Sequence, residues 1–162
     1  MIRRRNDLPR TLNVVVVEDD PDDARLLERA LLRVAQTGGR SIGITHHRNG
    51  WDALRAVGHS DVLDELPDFV VVDLNMPVMD GMRFLRLLRG ELRLPDLRAY
   101  VLTTSDRPEI HEAAREMGAD RVFRKPDGHR ELVAIVEAMM RDAVHEVERV
   151  VTVCASSCAP PT

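Results

Sequence analysis

The stretch "TLNVVVVEDDPDDARLLERALLRVAQ", residues 11–36, joins two different periodicities. Residues 11–18 form an apolar run rich in Val with no polar alternation, the pattern of a strand buried on both faces. Residues 21–36 place Leu26, Leu27, Ala30, Leu31 and Val34 on one face of a helix. The joint between them is acidic. Asp20 is suited to cap the helix, and Pro21 to occupy its first position, where no N–H is needed. A buried strand running directly into an amphipathic helix is half of a parallel crossover unit.

The unit repeats. "DFVVVDL" (68–74), "RAYVLTT" (98–104) and "DRVFRK" (120–125) read as further buried strands, with "SIGITHH" (41–47) as a weaker one. Helical periods fall at about 49–58, 81–92, 107–117 and 128–152. Five strand–helix units in alternation predict an α/β domain with a parallel sheet, right-handed crossovers and helices on both faces. A doubly wound sheet of this kind gathers function at the carboxyl ends of its strands.

Those ends carry chemistry in order. The first strand closes on Glu18, Asp19 and Asp20, the third on Asp73, the fourth on Thr103 and the fifth on Lys125. With strand order 2-1-3-4-5, Glu18, Asp19 and Asp73 surround one shallow pocket, with Thr103 and Lys125 at its rim. Carboxylates a few Å apart repel by about 3–4 kcal/mol per pair at an effective dielectric near 20. Cations must offset that. Hard carboxylate oxygens on a rigid strand end suit Mg²⁺. Lys125 is the second source of positive charge, and it is the chain's one lysine among 23 Lys and Arg residues. A compact ammonium on a flexible stem reaches a carboxylate or phosphoryl oxygen in ways a planar guanidinium does not. Thr103 offers a hydroxyl to a phosphoryl oxygen. Asp73 has the features of a nucleophile that forms an aspartyl phosphate, with catalysis by positioning and charge neutralisation. Taken singly, "EDDPDD" reads equally as a solvated capping cluster; the joint occurrence at four strand ends separates the two readings.

Four stretches, "VVVVEDDPDD", "VVVDLNMPVMDG", "VLTTS" and "FRKP", span about residues 12 to 145, and on them the chain resembles the receiver domains of two-component response regulators. The resemblance implies a flavodoxin-like (βα)5 fold and phosphotransfer to Asp73 from a phosphohistidine of a sensor histidine kinase. It implies Mg²⁺ held by Asp19, by Glu18 through water, by Asp73 and by the backbone carbonyl of Asn75. It assigns switching and charge neutralisation to Thr103 and Lys125, and a cis peptide bond before Pro126. Receivers usually carry an aromatic residue three positions before the lysine. Val122 stands there, with Phe123 on the opposite strand face, so the aromatic part of the switch is in doubt and the "SDRPEI" loop (105–110) is its alternative carrier.

The same stretches weigh against rivals. A phosphatase of the haloacid dehalogenase type needs an Asp two residues after its nucleophile, and Asn75 occupies that position. A scaffold that binds partners without phosphorylation is disfavoured by the complete acidic set. The net charge of −4 and 3% aromatic content give no footing for nucleic acid, and no run approaches the ~18 apolar residues of a membrane span. The basic start "MIRRRNDLPR" lacks a signal-peptide apolar run, and the two cysteines, Cys154 and Cys158, lie in the tail, so the expectation is a cytoplasmic protein.

The organisation expected is an N-terminal extension (1–10), a receiver domain with an extended last helix (11–152) and a flexible tail (153–162), a receiver standing alone. In that last helix Leu132, Ile135, Val136 and Met139 face the core. Val144, Val147, Val150 and Val151 lie beyond the reach of the sheet, and a homodimer through the side formed by the fourth helix, fifth strand and fifth helix would cover them. "TTS", the insertion-like "GHSDVLDELPD" (58–68) and the long last helix are similar to the regulators paired with phytochrome-type histidine kinases. His46 and His47, adjacent on a strand, point to opposite faces and are not expected to share a site. Trp51 is expected to pack at the start of the second helix.

Overall fold

The computed structural model describes residues 11–63 and 65–157, with backbone alone for 145–157. Strands β1 (Leu12–Val17), β2 (Ile42–His47), β3 (Phe69–Val72), β4 (Arg98–Thr103) and β5 (Arg121–Arg124) alternate with helices α1 (Pro21–Thr37), α2 (Gly50–Val62), α3 (Gly81–Gly90), α4 (Pro108–Glu116) and α5 (His129–Ser157). All sheet pairings are parallel, and the order is β2-β1-β3-β4-β5. This is the doubly wound sheet that the alternation predicts, in the flavodoxin-like form that the resemblance implies.

Alternate residues of the central strands divide the core into two layers. Val15 and Val17, with Val70, Val72 and Val101, face α2, α3 and α4 and meet Leu54, Val57, Phe84, Leu85 and Leu88. Val14 and Val16, with Phe69, Val71 and Tyr100, face α1 and α5 and meet Leu27, Leu31, Val136 and Met139. Both faces of β1 and β3 are therefore dry, which is why their sequences are continuous Val runs rather than alternating ones. Each fully buried Val contributes about 1.5–3 kcal/mol.

Local signals set the helix starts. Asp20 Oδ1 accepts from the N–H groups of Asp22 (2.8 Å) and Asp23 (3.1 Å), with Pro21 at the first position. Asn49 and Asp80 cap α2 and α3 in the same way. Gly81 has a separate reason to be glycine. A Cβ there would lie 2.3 Å from the Asp73 carbonyl oxygen, so only a bare Cα lets α3 begin against the end of β3.

Several expectations need correction. The face of α1 that is buried runs through Ala24, Leu27, Ala30 and Leu31, and Leu26 lies off it, 47% exposed. Trp51 is not packed but half exposed, because α2 buries Gly50, Ala53, Leu54 and Val57 instead. The first part of the segment 58–68 is helical, since α2 continues into it as far as Val62. Val144 is half-buried against the α1 layer of the core, so it is not beyond cover. Val147, Val150 and Val151 have side chains outside the described residues, and Cys158 and residues 1–10 lie outside them altogether. The α5 backbone itself runs on to Ser157.

Candidate functional site

Glu18, Asp73 and Lys125 each sit one rung past their strands, still on the hydrogen-bond ladder, and Thr103 is the last residue of β4. The Glu18 N–H donates to the His47 carbonyl (3.0 Å), Asp73 N–H to the Val17 carbonyl (3.0 Å), and Lys125 N–H to the Thr103 carbonyl (2.6 Å). The backbone is thus fixed by the sheet while the side chains project from its carboxyl edge.

Glu18, Asp19 and Asp73 converge there, each offering a carboxylate oxygen, all within 4.8 Å of one another. Glu18 and Asp73 are buried and Asp19 is half-buried. The Lys125 ammonium reaches into this group: its Nζ lies 2.7 Å from Glu18 Oε2, 2.9 Å from Asp23 Oδ2 and 3.4 Å from Asp73 Oδ2. Burial pushes the carboxyls of Glu18 and Asp73 above their ordinary values, although the Lys125 charge opposes it in both. Burial alone would pull Lys125 down. Its hydrogen bonds to Glu18 and Asp23, with the charges of Glu18 and Asp73, outweigh that and hold the ammonium above its ordinary range. Against this one lysine stand four carboxylates, counting Asp19, so the pocket keeps a negative excess.

Asp73 Oδ1 is buried and has no hydrogen-bond partner within the described residues. A buried carboxylate oxygen left bare costs free energy unless a cation or donor meets it. Three hard oxygen donors around it form a set that fits a divalent cation of the Mg²⁺ type. The Asn75 side chain is exposed beside them.

Thr103 is not at a solvent rim but fully buried. Its Oγ1 accepts from the Ser105 N–H at 3.3 Å, which leaves the hydroxyl hydrogen to donate. Val122 packs into the α2–α4 layer of the core, and Phe123 into the α1–α5 layer beneath the Arg121 guanidinium, 4.7 Å from its ring centroid. The opposite facing read from the sequence holds. The Lys125–Pro126 peptide bond is trans, contrary to the cis bond implied by the resemblance, since no described peptide bond is cis; trans is the ordinary form for X–Pro as for other bonds.

Two contacts escaped the sequence reading. Asp23, taken there as part of a capping cluster, is the second hydrogen-bond partner of Lys125. His46 Nε2 donates to the Glu18 carbonyl at 2.7 Å, so β2 holds Glu18 from both its N–H and its C=O. The only signal for Asp23 was its place in the first turn of the helix that follows the acidic strand end; His46 had none. His47, as expected, does not join His46. Its Nε2 is buried without a hydrogen-bond partner among the described residues, and burial pulls its pKa down.

Comparisons with known proteins converge on one family. A profile described as the response regulator receiver domain matches residues 14–137. Response regulator MprA of Mycobacterium tuberculosis is 32% identical over 131 residues, covering 81% of this chain and 51% of that protein. The chain thus matches about half the length of this curated relative. Among solved structures, response regulator RPA3017 in red light signalling of R. palustris is similar at TM-score 0.68 and 26% identity, over 79% of this chain and 90% of that one. The phosphorylated cyanobacterial phytochrome response regulator RcpA is similar at TM-score 0.68 and 22% identity, over 80% and 91%.

Proposed function

This chain belongs to the response regulator receiver family, whose members are phosphoacceptor modules of two-component signalling rather than turnover enzymes, and from that premise we propose that Asp73 is the residue that accepts the phosphoryl group from a phosphohistidine of a sensor histidine kinase. The observation that carries this reading is the bare Oδ1 of Asp73, in a buried acidic pocket with an ammonium 3.4 Å from Oδ2. An oxygen of the Asp73 carboxylate attacks phosphorus and forms the new O–P bond. The N–P bond of the phosphohistidine breaks, and the imidazole leaves with the electron pair and takes a proton from water.

The chain's residues do most of this by placement. Glu18, Asp19 and Asp73, with the Asn75 carbonyl, would hold Mg²⁺, which supplies positive charge against the phosphoryl oxygens. Lys125 adds a second cation, and the Thr103 hydroxyl donates to a phosphoryl oxygen. Val122 stands where an aromatic would otherwise report that contact, so the segment 105–110, the loop before α4 and the start of that helix, carries the change of shape. Pro126 shapes the turn that leaves Lys125 at the pocket.

The output is protein contact, including a homodimer through α4, β5 and α5 in which Val147 and Val151 contribute. A light-sensing phytochrome-type kinase is the proposed input, supported by the likeness to RPA3017 and RcpA. A cytoplasmic location accords with a kinase partner, and no described helix is long and apolar enough to cross a membrane.

Intact mass after incubation with acetyl phosphate tests the central claim. The expected gain is about 80 Da, dependent on Mg²⁺ and absent in Asp73→Asn. A gain that persists in Asp73→Asn would assign the wrong carboxylate, and no gain in the native chain would remove the phosphoacceptor role.

A further inference from the structure

The Lys125 ammonium has three N–H bonds and, in this structure, three carboxylates around it. Its two short contacts are to Glu18 and Asp23, at 2.7 and 2.9 Å, while Asp73 is farther, at 3.4 Å. The amine therefore stands off the acceptor and leans away from it. A phosphoryl group on Asp73 brings new anionic oxygens, and Lys125 can meet them only by giving up a partner.

Exposure decides which partner that is. The side chains of Glu18 and Asp73 are 5% and 6% exposed, whereas that of Asp23 is 42% exposed. A buried carboxylate that loses its ammonium is left uncompensated in a dry site, a severe loss. A half-exposed one is simply rehydrated, and such ion pairs contribute little. Asp23 is also held ready for this role from below: its N–H donates to Asp20 Oδ1 in the α1 cap, which fixes where its side chain starts.

Building on the assignment of Asp73 as acceptor, we propose that Asp23 is a positioning residue that parks Lys125 in the resting state and releases it when the phosphoryl group arrives. The Asp23 carboxylate competes with the phosphoryl oxygens for one ammonium. It biases the receiver toward its resting form, and the bias is built into the first turn of α1 rather than into the acceptor strand.

Beryllofluoride, whose beryllium becomes tetrahedral on taking a carboxylate oxygen and so mimics an aspartyl phosphate, is the probe. Its dissociation constant is measured by calorimetry on the full chain in saturating Mg²⁺. Asp23→Asn is expected to bind it about twofold to fivefold more tightly, the range open to a partly exposed ion pair. Asp23→Glu, with a carboxylate still in reach of Lys125, returns the constant toward that of the native chain. Asp22→Asn removes the same charge from the neighbouring residue, whose carboxylate is 84% exposed and pairs with Arg25 instead; it should leave the constant unchanged. Thermal melts of all three variants establish that they are folded.

Equal or weaker binding by Asp23→Asn overturns the proposal, and so does an equal gain in Asp22→Asn, which would reduce the effect to general electrostatics. In both cases the native chain still binds the probe and the acceptor assignment stands. A native chain that fails to bind beryllofluoride removes that assignment, and this proposal with it.

Discussion

Asp73 is a carboxylate kept where a carboxylate is uncomfortable. Burial raises its pKa in the folded chain above the unfolded value, and the charge of Lys125 only partly offsets this. The folded state therefore binds this proton more readily than the unfolded chain does. Its contribution to stability is largest at low pH and is lost as pH rises from the unfolded value through the raised folded one. Above that window the ionised group is a standing liability. Asp73→Asn, free of metal, should thus be more stable than the native chain at pH 7, with the advantage vanishing below about pH 4, the ordinary aspartate range. Urea unfolding at the two pH values measures it, and an Asn variant that is weaker at pH 7 would mean that the Lys125 pair outweighs burial. The residues of the site were legible in the sequence through their joint occurrence at successive strand ends, not one by one. Asp23 was not, because an acidic residue in a first helical turn is already explained by the helix dipole.

Among the elements, the junction of β3 and α3 is the most tightly specified. The Gly81 N–H donates to the Leu74 carbonyl at 3.1 Å, and the Asp73 carbonyl fills the space a Cβ would take. The obstacles to a side chain at Gly81, the Asp73 carbonyl group and Leu74 Cα, are all backbone atoms, so Gly81→Ala has no flexible neighbour to displace. It should destabilise the fold by about 2–3 kcal/mol, as overpacking does, and displace Asp73 enough to slow phosphorylation. A urea midpoint near that of the native chain would show that α3 can shift without strain. Strand and helix order was readable from period alone, because β1 and β3 are buried on both faces and α1 and α3 on one. The buried arc within a helix was less so. Leu26 and Trp51 are large and apolar, yet each lies about 110° around its helix from the middle of the buried arc, far enough to leave the core.

For the whole molecule, the sequence reading placed the apolar end of α5 outside the sheet, and the structure moves part of that surface inward. Val144 meets the α1 layer, which leaves Val147 and Val151 to carry the proposed contact between copies. Sedimentation of the native chain should report a dimer, and Val147→Glu with Val151→Glu a monomer of unchanged helix content. A native monomer at tens of micromolar would remove this surface from the output. Assembly was the least legible property of the sequence, since an apolar helix face says that something covers it but not what.

The acids and the cation of the pocket ride on unequal parts of the sheet. Glu18 and Asp73 extend β1 and β3, which have neighbours on both sides, while Lys125 extends β5, an edge strand of four residues with none buried. β5 is tied to the rest by β4, by the packing of Phe123 and by the Arg121–Asp142 ion pair to α5 at 2.7 Å. In native-state hydrogen exchange the amides of Glu18 and Asp73 should open only with the whole domain, and that of Lys125 through a lower-energy fraying of the edge. In each such excursion the pocket loses its counter-charge while its carboxylates stay assembled. How long the site remains armed is then set by the grip of α5 on an edge strand, on the side of the domain where a partner would bind.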